Sequence, residues 1–186
     1  MKGWEKKRDV MQSYDSTAHL YDMRYDGEQI AKIEAAMKSI NLERHNLVLD
    51  VGCGTGLLFG YVASKAGMVV GLDISRKILF QAKGKAKKLE NVHLICADAD
   101  NMPLKEGIFD CAFVVTLVQN MPNPLESLNE VKRVTRENAV IVITGLKKKF
   151  PLEVFEELLK KADLNLSAMM NETLKCHVAV CTKFLH

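Results

Sequence analysis

The chain has 186 residues, 48% of them hydrophobic, enough to bury one ordinary core and too little for a second domain, and its net charge of +3 is too mild to decide a partner. No apolar run approaches the roughly 20 residues of a membrane span, and Met1–Arg8 leads into no signal-peptide core, so a soluble, cytoplasmic chain without a membrane partner is expected. Cys53, Cys96, Cys111, Cys176 and Cys181 are odd in number and form no C-x-x-C pair, which argues against a disulfide framework and a metal site and predicts mostly packed, reduced thiols.

Residues 1–46 read as mostly helical. Ile30, Ile33, Met37 and Ile40 line one apolar face after Gly27, so this segment should cover part of the core. Ahead of them Ser13–Asp26 carries Tyr14, Tyr21 and Tyr25, too many rings for a solvated linker and too polar a run for a plain core. The tyrosines either line a pocket or anchor the helix through rings and hydroxyls. Ahead of the sheet, His19 is the candidate general base, although a lone histidine is more often structural.

From residue 47 apolar runs alternate with helical stretches, the pattern of a parallel sheet covered on both faces. Strands are expected near 47–51, 68–72, 92–96, 109–116 and 139–144. Helices are expected at 57–65, at 75–88 with Ser75 as N-cap, at 125–135 after Pro122 and Pro124, and at 151–162. Extended segments near 165–170 and 176–184 follow. Lysines and arginines cluster at 6–8, 83–88 and 147–149, forming either a phosphate-tracking surface or ordinary solvated faces.

The first strand breaks into a glycine-rich turn, Val48–Gly56, in which Gly52, Gly54 and Gly56 let the backbone pass close to a ligand while the next helix offers unpaired N–H groups. About 20 residues on, the second strand ends in Asp73, placed to accept both hydrogen bonds of a ribose diol. The third ends in Ala97-Asp98-Ala99. A glycine turn alone would serve NAD enzymes as well; the G-x-G-x-G order, the preceding Asp50 and the third acidic strand end favour another nucleoside cofactor.

These three segments resemble the signature motifs of class I S-adenosylmethionine (SAM) dependent methyltransferases. The resemblance implies an α/β, Rossmann-like, seven-stranded, mostly parallel sheet with helices on both faces, the final strand antiparallel, and a helical N-terminal lid. It implies SAM as cofactor, with S-adenosylhomocysteine as product. Asp50, Gly52, Cys53, Gly54 and Gly56 would hold the methionine part, Asp73 the ribose, Ile74 one face of the adenine and Asp98 the adenine amine, with Ala99 and Thr116 also among the cofactor-binding residues. Asp50 could instead cap its turn, and Asp98 could be a loop charge. Ser13–Asp26 is similar to a lid segment of small-molecule and ubiquinone-type methyltransferases, which would bring Tyr14 and Tyr21 to the cofactor and Tyr25 to the acceptor.

The fourth strand runs out into Thr116–Pro124, where the acceptor is expected, and two readings compete. Gln119–Pro122 can match a stretch that only shapes a pocket in small-molecule methyltransferases, a likeness supported by Glu130 and Arg133. Alternatively Asn120-Met121-Pro122 resembles the N-x-P element of nucleic-acid amino-methyltransferases, although Asn123 stands where an aromatic normally stacks on the base. The small size, the basic clusters and the tail Thr144–Phe150 also resemble small archaeal-type RNA methyltransferases, among them an rRNA cytidine N4-methyltransferase. The second reading with this resemblance implies RNA, rRNA or tRNA, as acceptor, with a cytidine N4 amine methylated and Asn120, Met121, Pro122 and Tyr25 at the reacting end. The first leaves a quinone, amine or thiol. Cys53 and Cys111 sit inside structural elements and are badly placed as nucleophiles.

Overall fold

The computed structural model describes residues 2–170 and 172–183, with residue 2 and residues 13–26 described in backbone only. Helix α1 runs unbroken over Lys2–Met37, through Gly27 and through the tyrosine-rich segment. The strands are β1 Leu47–Val51, β2 Met68–Asp73, β3 Val92–Cys96, β4 Phe109–Val114, β5 Thr135–Leu146, β6 Leu164–Met170 and β7 Cys176–Lys183. Between them lie α2 Phe59–Val62, α3 Arg76–Ala86, a 3₁₀ turn Val118–Asn120, α4 Pro124–Val134 and α5 Leu152–Lys161. They form one sheet in the order β3-β2-β1-β4-β5-β7-β6, with β7 antiparallel to both neighbours and the first five strands parallel.

Side-chain alternation divides the core between two faces. Leu49, Val51, Ala112, Val114, Ile141 and Ile143 pack against Leu128, Val131, Phe155 and Leu159 of α4 and α5. Val48, Val69, Cys111, Phe113 and Val142 pack on the other face against Ile33 and Ala36 of α1, Phe59 of α2 and Ala82 of α3. Ile40 joins that cluster from beyond the helix end. Two of the residues α1 buries there are polar, Gln29 and Lys32.

The expected elements are all present, with bounds set by local chemistry. Ser75 caps α3 by accepting from Ile78 N at 3.1 Å. α4 opens on Pro124 behind Asn123, whose side chain accepts from Leu125 N and donates to Glu126. The helix expected over 57–65 is only one α-turn at Phe59–Val62, since the turn before it closes i to i+3, from Gly56 N to Cys53 O, and beyond it Val62 O is shared between Lys65 N and Ala66 N. β4 stops at Val114 and not at 116, because Thr116 takes a φ of 61°. Four cysteines are buried, while Cys96 is exposed at the sheet edge. Among the described residues no helix is long and apolar enough to cross a membrane.

Candidate functional site

The parallel strands end on an open cleft lined by Gly52 and Gly54 after β1, by Asp73 at the end of β2 with Ile74 and Ser75 beyond it, by Ala97, Asp98 and Ala99 after β3 and by Val115, Thr116, Leu117, Asn120 and Met121 after β4. This is where an open α/β sheet places its ligands. The Asp73 carboxylate turns the glycine loop into a fixed object, accepting from Gly54 N at 3.0 Å and from Ser75 N at 2.9 Å. Gly54 has φ 54°, and a Cβ built on it would meet no protein atom within 4 Å, so its missing side chain leaves space in the cleft. Gly56 serves packing instead: a Cβ there would lie 2.3 Å from the Phe59 ring. A loop that leaves room for a ligand at one glycine and seals against the core at another fits a nucleoside-bearing cofactor such as the SAM expected from the sequence.

The first turns of α1 close the cleft from above. The Lys6 ammonium donates to Met121 O at 2.9 Å, Gly3 lies against Pro122, and Val10 and Met11 join the wall. Lys7 donates to both Asp98 oxygens at 2.7 Å and pairs with Asp100. Burial opposes its charge, but the hydrogen bonds and charges of Asp100 and Asp98 outweigh this and hold the ammonium above its ordinary range. The loop bearing Asp98 is clamped from below, where Glu130 accepts from Met102 N and Arg133 donates to Met102 O and Leu104 O. That guanidinium, through its hydrogen bonds, holds the Glu130 carboxyl below the usual range.

At the other end of the cleft, Thr116 is held in its left-handed conformation from every side. Its N–H donates to Thr144 Oγ1, its carbonyl accepts from Asn120 Nδ2, and its hydroxyl meets Gln29 at 2.8 Å and Lys32 at 3.2 Å. Lys32, 2% exposed, also pairs with Glu28 at 3.0 Å. Such over-determined strain is a mark of functional backbone.

Of the residues expected from sequence, Gly52, Gly54, Asp73, Ile74, Asp98, Ala99, Thr116, Asn120 and Met121 come together on the cleft. Asp50, Cys53, Gly56 and Pro122 do not line it. Cys53 is a packed thiol pushed well up by burial and by the Asp50 and Asp73 carboxylates. The side chains of Tyr14, Tyr21, Tyr25 and His19 lie outside the described residues; among the described residues Lys6, Lys7, Val10 and Met11 of α1 cover the cleft. Lys7 gives no local signal because its partner Asp98 is 91 residues away in the chain, and Val10 and Met11 likewise meet a cleft whose other walls begin at Gly52.

Asp50 sits behind the loop, and burial, followed by the nearby Asp73 charge, lifts its carboxyl from 3.8 to about 8. The folded chain therefore holds a proton that the unfolded chain releases, so this stability is complete below pH 3.8 and is lost as pH rises to about 8. Melting of the ligand-free chain should fall across that window by a free energy on the order of a few kcal/mol, and Asp50→Asn should flatten the fall. Thermal melts of both proteins across the window check this; an identical slope in the variant would contradict it.

A family model described as a methyltransferase domain matches residues 49–143. A malonyl-[acyl-carrier protein] O-methyltransferase of Marinomonas is 28% identical over 142 residues, covering 75% of this chain and 52% of that protein. A demethylmenaquinone methyltransferase of Staphylococcus epidermidis is 32% identical over 109 residues, 57% of this chain and 45% of the other. The chain thus spans about half the length of these relatives. Among solved structures, a SAM-dependent methyltransferase of Aquifex aeolicus superposes with a TM-score of 0.78 at 23% identity, covering 91% of this chain and 98% of that one. A putative Haloferax volcanii methyltransferase complexed with the Trm112 methyltransferase activator gives 0.81 at 14% identity, covering 91% and 96%. At these identities the two structures speak for the fold alone.

Proposed function

The chain belongs to the class I SAM-dependent methyltransferases, and on that premise we propose that it methylates a small-molecule acceptor held over the end of β4. SAM, when bound, supplies an electrophilic methyl group on a sulfonium. Gly52 and Gly54 would hold its methionine part, with Asp50 behind them; Asp73 would take the ribose hydroxyls, and Ile74, Ala99 and Asp98 the adenine. Thr116, Leu117, Asn120 and Met121 would then align the acceptor for in-line transfer.

One observation carries the choice of acceptor: among the described residues, the lining at that end is Val115, Thr116, Leu117, Asn120 and Met121, none of them an acid or base, while the nearby ammoniums of Lys6 and Lys32 are taken up by Met121 O and by Thr116 and Glu28. A nucleophile that arrives already ionised, a carboxylate or an acidic enol, needs no proton acceptor there. The malonyl and demethylmenaquinone groups in the names of the two curated relatives are consistent with that class. The RNA-amine reading loses support on three counts. Lys7 spends its charge on Asp98 and Asp100, Lys149 donates to Gln119 O, and Asn123 caps α4 in place of a base-stacking ring.

The test is methyl transfer from labelled SAM to a demethylated naphthoquinol, a malonyl thioester, unmodified rRNA and tRNA. Label is expected in a small acceptor, insensitive to salt. Label in RNA that falls steeply with salt, with none in the small acceptors, would overturn the proposal. In the productive assay Asn120→Ala should cut turnover by about 100-fold, since the turn carrying Thr116 loses its tie, with SAM affinity nearly unchanged. A variant that melts markedly earlier but turns over normally per folded molecule would show that Asn120 only caps the turn.

A further inference from the structure

The two edges of the sheet are built differently. β6 shifts register between Leu166 and Ala168 and carries Asn165 and Ser167, features that spoil pairing with another strand. β3 reads Val92-His93-Leu94-Ile95-Cys96, keeps five consecutive pairs with β2, and has no bulge, proline, lysine or acid. Val69 N donates to Asn91 O and Ala97 N to Asp73 O, so in parallel pairing the odd-numbered residues face β2. The N–H and C=O groups of Val92, Leu94 and Cys96 therefore form a ladder at the outer edge that is open among the described residues. Beside it α3 presents Phe80, 75% exposed, together with Arg76, Lys83 and Lys87, which make no ion pair among the described residues.

We propose that β3 is the docking edge for an acidic protein partner, which adds a strand to the sheet while its carboxylates meet Arg76, Lys83 and Lys87 and an apolar side chain covers Phe80. Alternating donors and acceptors match another polypeptide backbone; phosphates can use only the N–H half of such a ladder. A second copy of this chain fits poorly, because antiparallel pairing of two β3 edges about a two-fold axis normal to the sheet would bring the same α3 cations against one another. The strand leads directly into Ala97 and Asp98, so a partner seated there would stiffen one wall of the cofactor cleft.

The test is residue-resolved hydrogen exchange of the whole chain with a synthetic hairpin bearing Glu on one face and Ile and Val on the other. The same hairpin with Lys for Glu and a single-stranded RNA serve as competitors of different chemistry. The Glu hairpin should slow exchange at the Val92, Leu94 and Cys96 amides, and its affinity should weaken about tenfold from low to high salt. Phe80→Glu should lose this protection while keeping its melting temperature and SAM affinity. Should that variant not fold, the Lys83→Glu, Lys87→Glu pair reads the same loss. Equal protection by the Lys hairpin, protection by RNA, concentration-dependent protection without any probe, or no protection at these amides would each overturn the proposal.

Discussion

Gly54→Val is expected to lower SAM affinity by about 100-fold or more, because the new side chain fills cleft space that no protein atom claims. The substitution also strains the backbone, since φ 54° suits glycine and costs a branched residue roughly 1–2 kcal/mol. A chain of this size should then melt about 2–8 °C earlier. Gly107 separates the two effects: it has φ 63°, open space around its Cβ position, and no place on the cleft. Gly107→Val should therefore show a similar loss of stability with SAM affinity unchanged. Calorimetric titration of both variants, with melts alongside, makes the comparison; equal affinities would mean that Gly54 does not face the cofactor.

Asp73→Ala should weaken SAM binding by roughly 1–3 kcal/mol, the scale of hydrogen bonds to a charged acceptor. The carboxylate is asked to do two things, to hold Gly54 N and Ser75 N and to receive the ribose hydroxyls. Asp73→Asn keeps one acceptor oxygen and should fall between wild type and alanine. Its loss of charge should also let the Asp50 carboxyl settle lower, since the Asp73 charge is the second cause of that elevation. Affinity measured across pH for the three proteins checks the order. An alanine variant with wild-type affinity would remove Asp73 from the ribose site.

The cofactor half of the site was legible because its signals are local. A turn that needs positive φ at 52, 54 and 56 shows itself as glycine, and strand ends show themselves as apolar runs stopped by aspartate. The cover was not legible. Lys6 and Lys7 looked like surface charge, and nothing near them in sequence announces Met121 or Asp98. Gln29 and Lys32 hid in the opposite way, as polar residues on the buried side of α1, where they interrupt the apolar periodicity. The role of Asn123 could have been found, since an Asn followed by Pro124 and by Glu126 three positions on is a helix-start signature.

Calorimetric titration of the purified chain with SAM, S-adenosylhomocysteine and NAD tests the central claim most directly. One site of micromolar affinity for the first two and none for NAD is the predicted result, because Gly54, Asp73 and Asp98 are placed for a single adenosine with a short charged chain. Binding of NAD with no detectable binding of SAM would contradict the account.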